Sequence, residues 1–171
     1  NRATMVGNNC NASPLADTAT PLFVLDANVI IYGENGLFEV PIADFYKGVR
    51  RTCLNLGEIV TGIRIPYYEG MKGVFKKNSR RSTVDLSIVC TSVVKIGDDF
   101  RIGLGAVAPT PIRATEAEKY LKGKELIADV IENASTLAAS CARPIDDVRA
   151  SREYRIEMVR VLVMQSLQEL S

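Results

Sequence analysis

The sequence of 171 residues contains no histidine and no tryptophan, and only 6% of its residues are aromatic. Without histidine, imidazole acid–base catalysis, serine–histidine–aspartate triads and histidine-ligated metal sites are excluded. The chemistry that remains open depends on carboxylates, lysine, tyrosine, cysteine or a bound cofactor.

Net charge is nearly absent as well, because 21 Lys and Arg residues are balanced by 20 Asp and Glu residues, which leaves a formal charge of +1. Such a chain has no overall attraction to nucleic acid or to an anionic membrane. The longest apolar runs, such as Phe23–Leu25 and Val161–Met164, fall far short of the roughly 18 residues that span a bilayer. Intrinsic disorder is also excluded, since a hydrophobic content of 47% can bury enough surface to offset chain entropy. We expect a folded chain with no membrane span and no nucleic-acid partner.

The four cysteines, Cys10, Cys53, Cys90 and Cys141, form no C-x-x-C pair and no cluster suited to zinc or an iron–sulfur centre. For the last three, this spacing indicates small buried side chains in a reducing compartment rather than a disulfide scaffold. It predicts a cytoplasmic protein without a metal site of its own.

The first third of the sequence predicts a loop, a helix and three strands. Residues 1–13 hold Gly7 and four asparagines, which favours a polar loop. Ser13-Pro14 predicts a helix start, and Pro21 is expected to divide that helix or to end its first piece. The predicted strands are a hairpin of Asn28–Gly33 and Leu37–Val40 around the Glu34–Gly36 turn, and a run from Glu58 to Ile65 that ends at Pro66.

The pattern changes after Pro66, and we place a domain boundary there, between residues 1–66 and 67–171. Three strands are predicted next, over Val74–Lys77, Val84–Cys90 and Phe100–Ala106, with a turn at Gly97–Asp99. Helical periodicity follows from Thr115 to Lys122, from Lys124 to Arg143, and in a last helix capped by Ser151. The predicted class is α+β, with a three-stranded antiparallel sheet packed on three helices.

Three stretches contain candidate functional residues. Thr4–Asp17 is a Gly/Asn-rich segment followed by a carboxylate, suited to oxygen-rich ligands, although such a loop is more often only a turn. Five cations between Lys72 and Arg81 favour a solvated face over an anion or partner site. Pro144–Arg155 combines acids and arginines at a helix start, where acids stabilise the helix; we interpret it as structural, with Tyr154 as a core anchor.

In this order, these stretches resemble the flavoprotein (medium) subunit of the molybdenum hydroxylases, the xanthine dehydrogenase and carbon monoxide dehydrogenase group. Asn1–Asn8 and Asn11–Asp17 are similar to the family's second flavin motif, R-N-x-A-T-I-G-G-N followed by N-A-S-P-x-x-D, although Val6 replaces the first Gly of the usual pair. Gly57–Pro66 resembles the stretch that closes its flavin domain. Phe75–Arg81 and Asp147–Arg155 resemble landmarks of its C-terminal domain.

The resemblance implies a C-terminal portion of that subunit. Residues 1–66 would be the end of a mixed α/β FAD-binding domain, and residues 67–171 the complete C-terminal domain. The chain opens with Asn1-Arg2-Ala3, without an initiator Met or a signal segment, so we expect it to be trimmed or processed. The family's first flavin motif, a Gly-rich loop that cradles the pyrophosphate, would then lie upstream of Asn1.

The resemblance also implies the cofactor and the residues that contact it. FAD would be contacted by Thr4, Gly7 and Asn8, with Asp17 toward the ribityl and ribose region and Val60 and Lys76 near the ring system. Cys10 matches a position close to the isoalloxazine. None of these residues would be catalytic, because the flavin performs the redox step while the protein positions it and tunes its potential.

The implied function is electron transfer from iron–sulfur clusters on a small partner subunit to an external acceptor, with substrate oxidised on a molybdopterin-binding large subunit. The N-terminal part of the same flavoprotein would be a further partner. The alternative is a cofactor-free module that only docks partner subunits.

Overall fold

The computed structural model describes residues 3–81 and 85–171. The first half contains α1 (Met5–Cys10), α2 (Ala19–Val24), β1 (Asn28–Gly33), β2 (Gly36–Pro41), α3 (Ile42–Phe45), β3 (Tyr46–Gly48), β4 (Arg51–Thr52) and β5 (Ile59–Arg64). The second half contains β6 (Lys72–Asn78), β7 (Val89–Ile96), β8 (Asp99–Gly105), β9 (Ile112–Arg113), α4 (Thr115–Leu121), α5 (Ala128–Cys141) and α6 (Arg152–Leu170). This mixture of helices and antiparallel sheets confirms the predicted fold class.

The predicted hairpin and the strand that precedes Pro66 form one antiparallel sheet, in the order β2-β1-β5. Gly36 closes the β1–β2 turn with a φ of +93°, a conformation that glycine adopts without a steric penalty. The inner face of β1 carries Val29 and Ile31, which pack with Phe23, Phe45 and their neighbours into the first core. The β-branched and aromatic content of these stretches, with the turn at Glu34–Gly36 and the stop at Pro66, therefore predicted these strands correctly.

The prediction for the N-terminal loop was wrong in part, because residues 5–10 form the short helix α1. The Thr4 side chain caps this helix by accepting a hydrogen bond from the Gly7 amide at 2.9 Å. Asn9 is buried, and both ends of its side-chain amide are hydrogen-bonded. A polar side chain, rather than an apolar face, therefore attaches α1 to the first core. Periodicity in apolar residues does not detect such a helix.

The helix predicted at Ser13-Pro14 was also wrong, since turns continue to Thr18 and α2 begins only at Ala19. The Pro14 carbonyl accepts a hydrogen bond from the Ala106 amide of the second half at 2.9 Å. In a helix beginning at Pro14, the same carbonyl would accept the amide of the residue four positions later. Pro21 does not divide α2, because it lies in the first turn, where its missing N–H would have no helical partner.

In the second half the strands have the order β6-β7-β8-β9, so a two-residue fourth strand extends the three that were predicted. The strand predicted over Val84–Cys90 was placed too early. Asp85–Ile88 form a loop and β7 begins at Val89, while Thr83 and Val84 lie outside the described residues. Side chains account for the difference, because the Asp85 carboxylate accepts the Leu86 amide and its carbonyl accepts Lys77 Nζ.

Both faces of this sheet are covered. Helices α4, α5 and α6 cover one face of the sheet, and the second core lies between them and the strand residues Val93, Ile102 and Leu104. This agrees with the prediction of three helices packed on the sheet. On the other face lies α2 from the first half, where Ser92 Oγ donates to Thr20 Oγ1 at 2.8 Å. The two halves therefore share this sheet.

Glycine allows α2 to approach the sheet closely. A Cβ on Gly103 would lie 2.9 Å from the Thr20 carbonyl oxygen, and one on Gly105 would lie 2.8 Å from Thr20 Cγ2. Two arginines complete the contact, since Arg101 donates to the Val24 carbonyl at 3.1 Å and Arg113 to the Phe23 carbonyl at 3.2 Å. Cations suit these carbonyls because they lie at the negative end of the helix.

Gly103→Ala should lower the free energy of unfolding by about 1–3 kcal/mol, the usual effect of overpacking, because the added methyl group would meet backbone rather than a flexible side chain. Thermal melts of the 171-residue chain measure the effect. Gly62→Ala is the matched control, since its nearest contact would be Ile30 Cδ1 at 3.7 Å. Equal melting temperatures for the two variants would show that α2 does not need this close approach.

Candidate functional site

Helix α1 places three of the predicted flavin residues on the surface of the first half. Thr4 and Gly7 are exposed and Asn8 is half-buried, while the neighbouring Asn9 points into the interior. Asn9 Nδ2 donates to the Met5 carbonyl at 2.8 Å and to Thr18 Oγ1 at 2.9 Å. This buried amide fixes the helix against the core.

Tyr46 completes the anchor, because its hydroxyl donates to Asn9 Oδ1 and its ring packs against Phe23 and Phe45. Burial raises the pKa of the Tyr46 hydroxyl well above its usual value, so it stays a donor. Thr18 in turn donates to Asn8 Oδ1 at 2.5 Å, which leaves the amide NH₂ of Asn8 to donate to a ligand oxygen. Sequence analysis did not predict Asn9 or Tyr46, and no spacing signal marks them.

Cys10 and Val60 both pack, partly buried, against the first core. Helix α1 also packs on β5, the strand that carries Val60. Burial raises the pKa of the Cys10 thiol, which favours an apolar packing role over a nucleophilic one. All four cysteines are free, and Cys90 lies deepest, with its pKa raised by burial to about 12.

Asp17 lies at the junction of the two halves. Its Oδ2 accepts Lys77 Nζ at 2.6 Å and its Oδ1 accepts the Ser87 hydroxyl at 2.5 Å. The carboxylate is still 40% exposed, so a ligand can reach it. Asp17 lies in a turn before α2, not in the first turn of a helix beginning at Pro14 as predicted.

Lys76 is separated from the other predicted flavin residues. Successive residues of a strand point to opposite faces, and here Lys77 turns toward Asp17 while Lys76 pairs with Glu169 of α6 at 2.8 Å. The structure therefore brings Lys77, which was not predicted, to the junction. The predicted flavin contact of Lys76 remains a prediction.

Asp147 and Arg149 of the loop before α6 form a compact, partly buried network with Arg155 of α6, in agreement with their structural interpretation. Asp147 accepts Arg149 Nη2 at 2.6 Å and Arg155 Nη2 at 2.7 Å. These hydrogen bonds, from Arg149 above all, hold the pKa of Asp147 well below its usual range. Tyr154 was wrongly predicted as the core anchor. It is 45% exposed, and the neighbouring Arg155 is the buried side chain, at 2%.

A cleft of about 350 Å³ lies between the halves, lined by Pro14, Leu15 and Ala106 together with residues of the loop before α6. Its lining includes none of the seven predicted flavin residues. Within residues 3–81 and 85–171 there is no group of three or more potential metal ligands, and no helix in that part of the chain could cross a membrane.

Comparison with known families identifies both halves. Residues 1–68 match the family model of the FAD binding domain in molybdopterin dehydrogenase, and residues 74–170 match that of the CO dehydrogenase flavoprotein C-terminal domain. The glyceraldehyde dehydrogenase medium chain of Sulfolobus acidocaldarius is 35% identical over 175 residues, which cover 100% of this chain and 62% of that protein. The xanthine dehydrogenase FAD-binding subunit of Escherichia coli O157:H7 is 29% identical over 176 residues, which cover 99% of this chain and 60% of that protein.

Solved structures agree with these matches. Carbon monoxide dehydrogenase from Hydrogenophaga pseudoflava superposes with a TM-score of 0.91 at 29% identity, over 98% of this chain and 60% of that chain. Quinoline 2-oxidoreductase from Pseudomonas putida 86 gives a TM-score of 0.90 at 26% identity, with the same coverage. The chain thus spans about 60% of the length of these relatives. The resemblance seen in the sequence is confirmed: the chain belongs to the FAD-binding flavoprotein family of the molybdopterin dehydrogenases, and it is a fragment of the medium subunit.

Proposed function

We propose that this chain supplies part of the FAD site in the medium subunit of a molybdenum hydroxylase. The subunit would pass electrons from iron–sulfur clusters on a small subunit to an external acceptor, while a molybdopterin-binding large subunit oxidises the substrate. Family membership of both halves supports this proposal, as do relatives named as medium chains of carbon monoxide dehydrogenase. FAD, when bound, supplies the redox chemistry.

The residues of α1 fit an oxygen-rich cofactor. Thr4, Gly7 and Asn8 lie on the surface of a helix that the buried Asn9 anchors, so the Thr4 hydroxyl and the Asn8 amide keep a defined direction without a ligand, while the Gly7 amide is used in the Thr4 cap. Rigid placement of polar groups reduces the entropy lost on binding. The rigid anchoring of an exposed polar helix is the single observation that best supports an FAD site here.

Other residues would define the outline of the site. Asp17 would accept a hydrogen bond from a ribityl or ribose hydroxyl, oriented by its contacts with Lys77 and Ser87. Cys10 and Val60 would offer apolar surface beside the ring system. Lys76 would contact the flavin only by giving up or sharing its ion pair with Glu169.

Half of the site would come from the N-terminal part of the same flavoprotein. The predicted flavin residues do not line the 350 Å³ cleft, and all seven are exposed or half-buried, which fits a site that a further segment completes. The proposed boundary near residue 66 agrees with family matches that end at residue 68 and resume at residue 74. The four free cysteines support a reducing, cytoplasmic location.

Asn8→Asp in the complete flavoprotein subunit should lower FAD affinity about tenfold or more. The substitution keeps an oxygen that can accept the Thr18 hydroxyl, but it replaces the NH₂ donor by an anionic oxygen facing an oxygen-rich cofactor. The flavin-to-protein absorbance ratio after gel filtration measures retention, and a titration of the apo subunit gives the Kd.

The matched control is Asn35→Asp, which makes the same charge change at an exposed residue of the β1–β2 turn and should leave affinity unchanged. Equal loss of FAD in both variants would contradict the assignment of α1. A wild-type subunit that binds no flavin at all would favour the subunit-docking alternative.

Asp17→Ala should also lower FAD occupancy, whereas Asp146→Ala should not. A charge-assisted hydrogen bond is worth about 1.5–3 kcal/mol, which corresponds to about a tenfold to hundredfold change in affinity. Asp146 is exposed, and its carboxylate accepts only the Arg152 amide, at 2.7 Å, among the hydrogen bonds of the described residues. Calorimetric titration of the two apo variants with FAD provides the comparison.

Lys77→Met separates the two roles of Asp17 in the same titration, because it removes the ion pair and keeps the carboxylate. If Asp17 binds the cofactor directly, Asp17→Ala will weaken binding more than Lys77→Met does. Equal losses would mean that Asp17 acts only by joining the halves.

A further inference from the structure

We propose that Arg155 is a positioning residue for the flavin site, although it lies in the second half and is buried away from the surface of α1. A single guanidinium group holds both loops that in turn hold the segment from Pro14 to Asp17. This inference rests on the proposed function, because it concerns the same FAD site.

Arg155 is 2% exposed and reaches out of the first turn of α6 into the space between two loops. Its Nη1 donates to the Ile88 carbonyl at 2.6 Å and to the Ala106 carbonyl at 3.3 Å. Ile88 ends the loop before β7, and Ala106 directly follows β8. One nitrogen atom therefore ties the two loops together.

These are the loops that contact the flavin-site segment. The Ala106 amide donates to the Pro14 carbonyl at 2.9 Å, so Ala106 is bound on one side by Arg155 and on the other by the first half. The Ser87 hydroxyl donates to Asp17 Oδ1, and Ser87 immediately precedes Ile88. Each contact between the loops and the segment lies at, or next to, a carbonyl that Arg155 holds.

The backbone of Ala106 needs such support. Its φ of +64° lies in the left-handed region, which is strained for a residue with a Cβ because the Cβ crowds the following carbonyl oxygen. Strained residues of this kind persist where the surroundings determine them from several sides. Hydrogen bonds at both its carbonyl and its amide meet this need.

Asp147 fixes the guanidinium from the opposite side. Its Oδ1 accepts Arg155 Nη2 at 2.7 Å and also the Arg149 amide at 2.8 Å, so the carboxylate is held by its own loop. A buried guanidinium needs a paired carboxylate and hydrogen bonds to offset its desolvation, and here Nη1 and Nη2 have partners while the buried Nε has none among the described residues. The Arg155–Asp147 ion pair orients Nη1 toward the two carbonyls. It also accounts for a charged side chain at a buried position.

The proposal predicts a loss of FAD binding that does not follow from instability alone. Arg155→Lys keeps the charge and can still pair with Asp147, but one ammonium group cannot reproduce the planar fork, which reaches Asp147 through Nη2 and both loop carbonyls through Nη1. In the complete flavoprotein subunit we expect FAD affinity to fall about tenfold, a loss similar to that of one charge-assisted hydrogen bond. We also expect altered visible circular dichroism and a shifted midpoint potential of the residual bound flavin.

Leu167→Ala is the matched control. Leu167 lies fully buried on the same helix, twelve residues and so about 18 Å beyond Arg155, and its truncation in the second core destabilises the same domain at a distance from the Arg155 hydrogen bonds. Both variants should melt at lower temperature than the wild type. At a temperature where both are folded by near-ultraviolet circular dichroism, only Arg155→Lys should bind FAD more weakly and shift the flavin potential.

Asp147→Asn provides a second variant in case Arg155→Lys does not fold, since it leaves the guanidinium in place and removes the charge that orients it. Asp147→Asn should show the same changes in FAD affinity and flavin potential to a smaller degree. Asp146→Ala, at the preceding position, should show none. Wild-type affinity and potential in folded Arg155→Lys or Asp147→Asn would overturn the proposal, as would equal changes in Leu167→Ala. Failure of the proposed function is distinguishable, because the wild-type subunit would then bind no FAD.

Discussion

The close packing of α2 on the glycine-lined face of β8 is the contact on which the rest of the structure depends. It inserts a helix of the first half against a sheet whose other face is already covered by α4, α5 and α6. Because Gly103 and Gly105 have no side chains, Thr20 can approach the strand backbone directly. Sharing the sheet in this way sets the distance at which Asp17 meets Lys77 and Pro14 meets Ala106.

Polar groups, rather than apolar area, then define the candidate site. Asn9 and Tyr46 hold α1 from below, while Ser87 and Lys77 hold Asp17 from the side. Hydrogen bonds specify direction as well as proximity, and they are strongest where water is excluded. A surface that must present donors to a cofactor gains from such anchoring, because a flexible loop would have to be ordered at the expense of affinity.

Most of the longer strands and helices were predictable because each carries a local signal in the sequence. The β1–β2 hairpin has a turn sequence after a β-branched and aromatic stretch, and α6 has a capping serine before a long series of apolar residues. The errors share one origin. Residues 5–10, residues 14–18 and residues 85–88 take their conformations from side-chain or cross-domain hydrogen bonds, which leave no period in the sequence. Tyr154 and Arg155 illustrate the same limit. Side-chain chemistry suggests a buried tyrosine and an exposed arginine, whereas Tyr154 is exposed and Arg155 is buried.

By itself, the sequence determined the family, the α+β class, the order of the longer strands and of the last three helices, and the stretch that carries most of the predicted flavin residues. Motifs and periodicity are properties of neighbouring residues, so they survive without coordinates. Only the tertiary structure decided that Lys77 rather than Lys76 reaches Asp17, that Asn9 anchors α1, and that Arg155 ties two distant loops. These hydrogen bonds join residues from 9 positions apart, for Asn9 and Thr18, to 67 positions apart, for Ile88 and Arg155, and no local pattern in the sequence encodes such contacts.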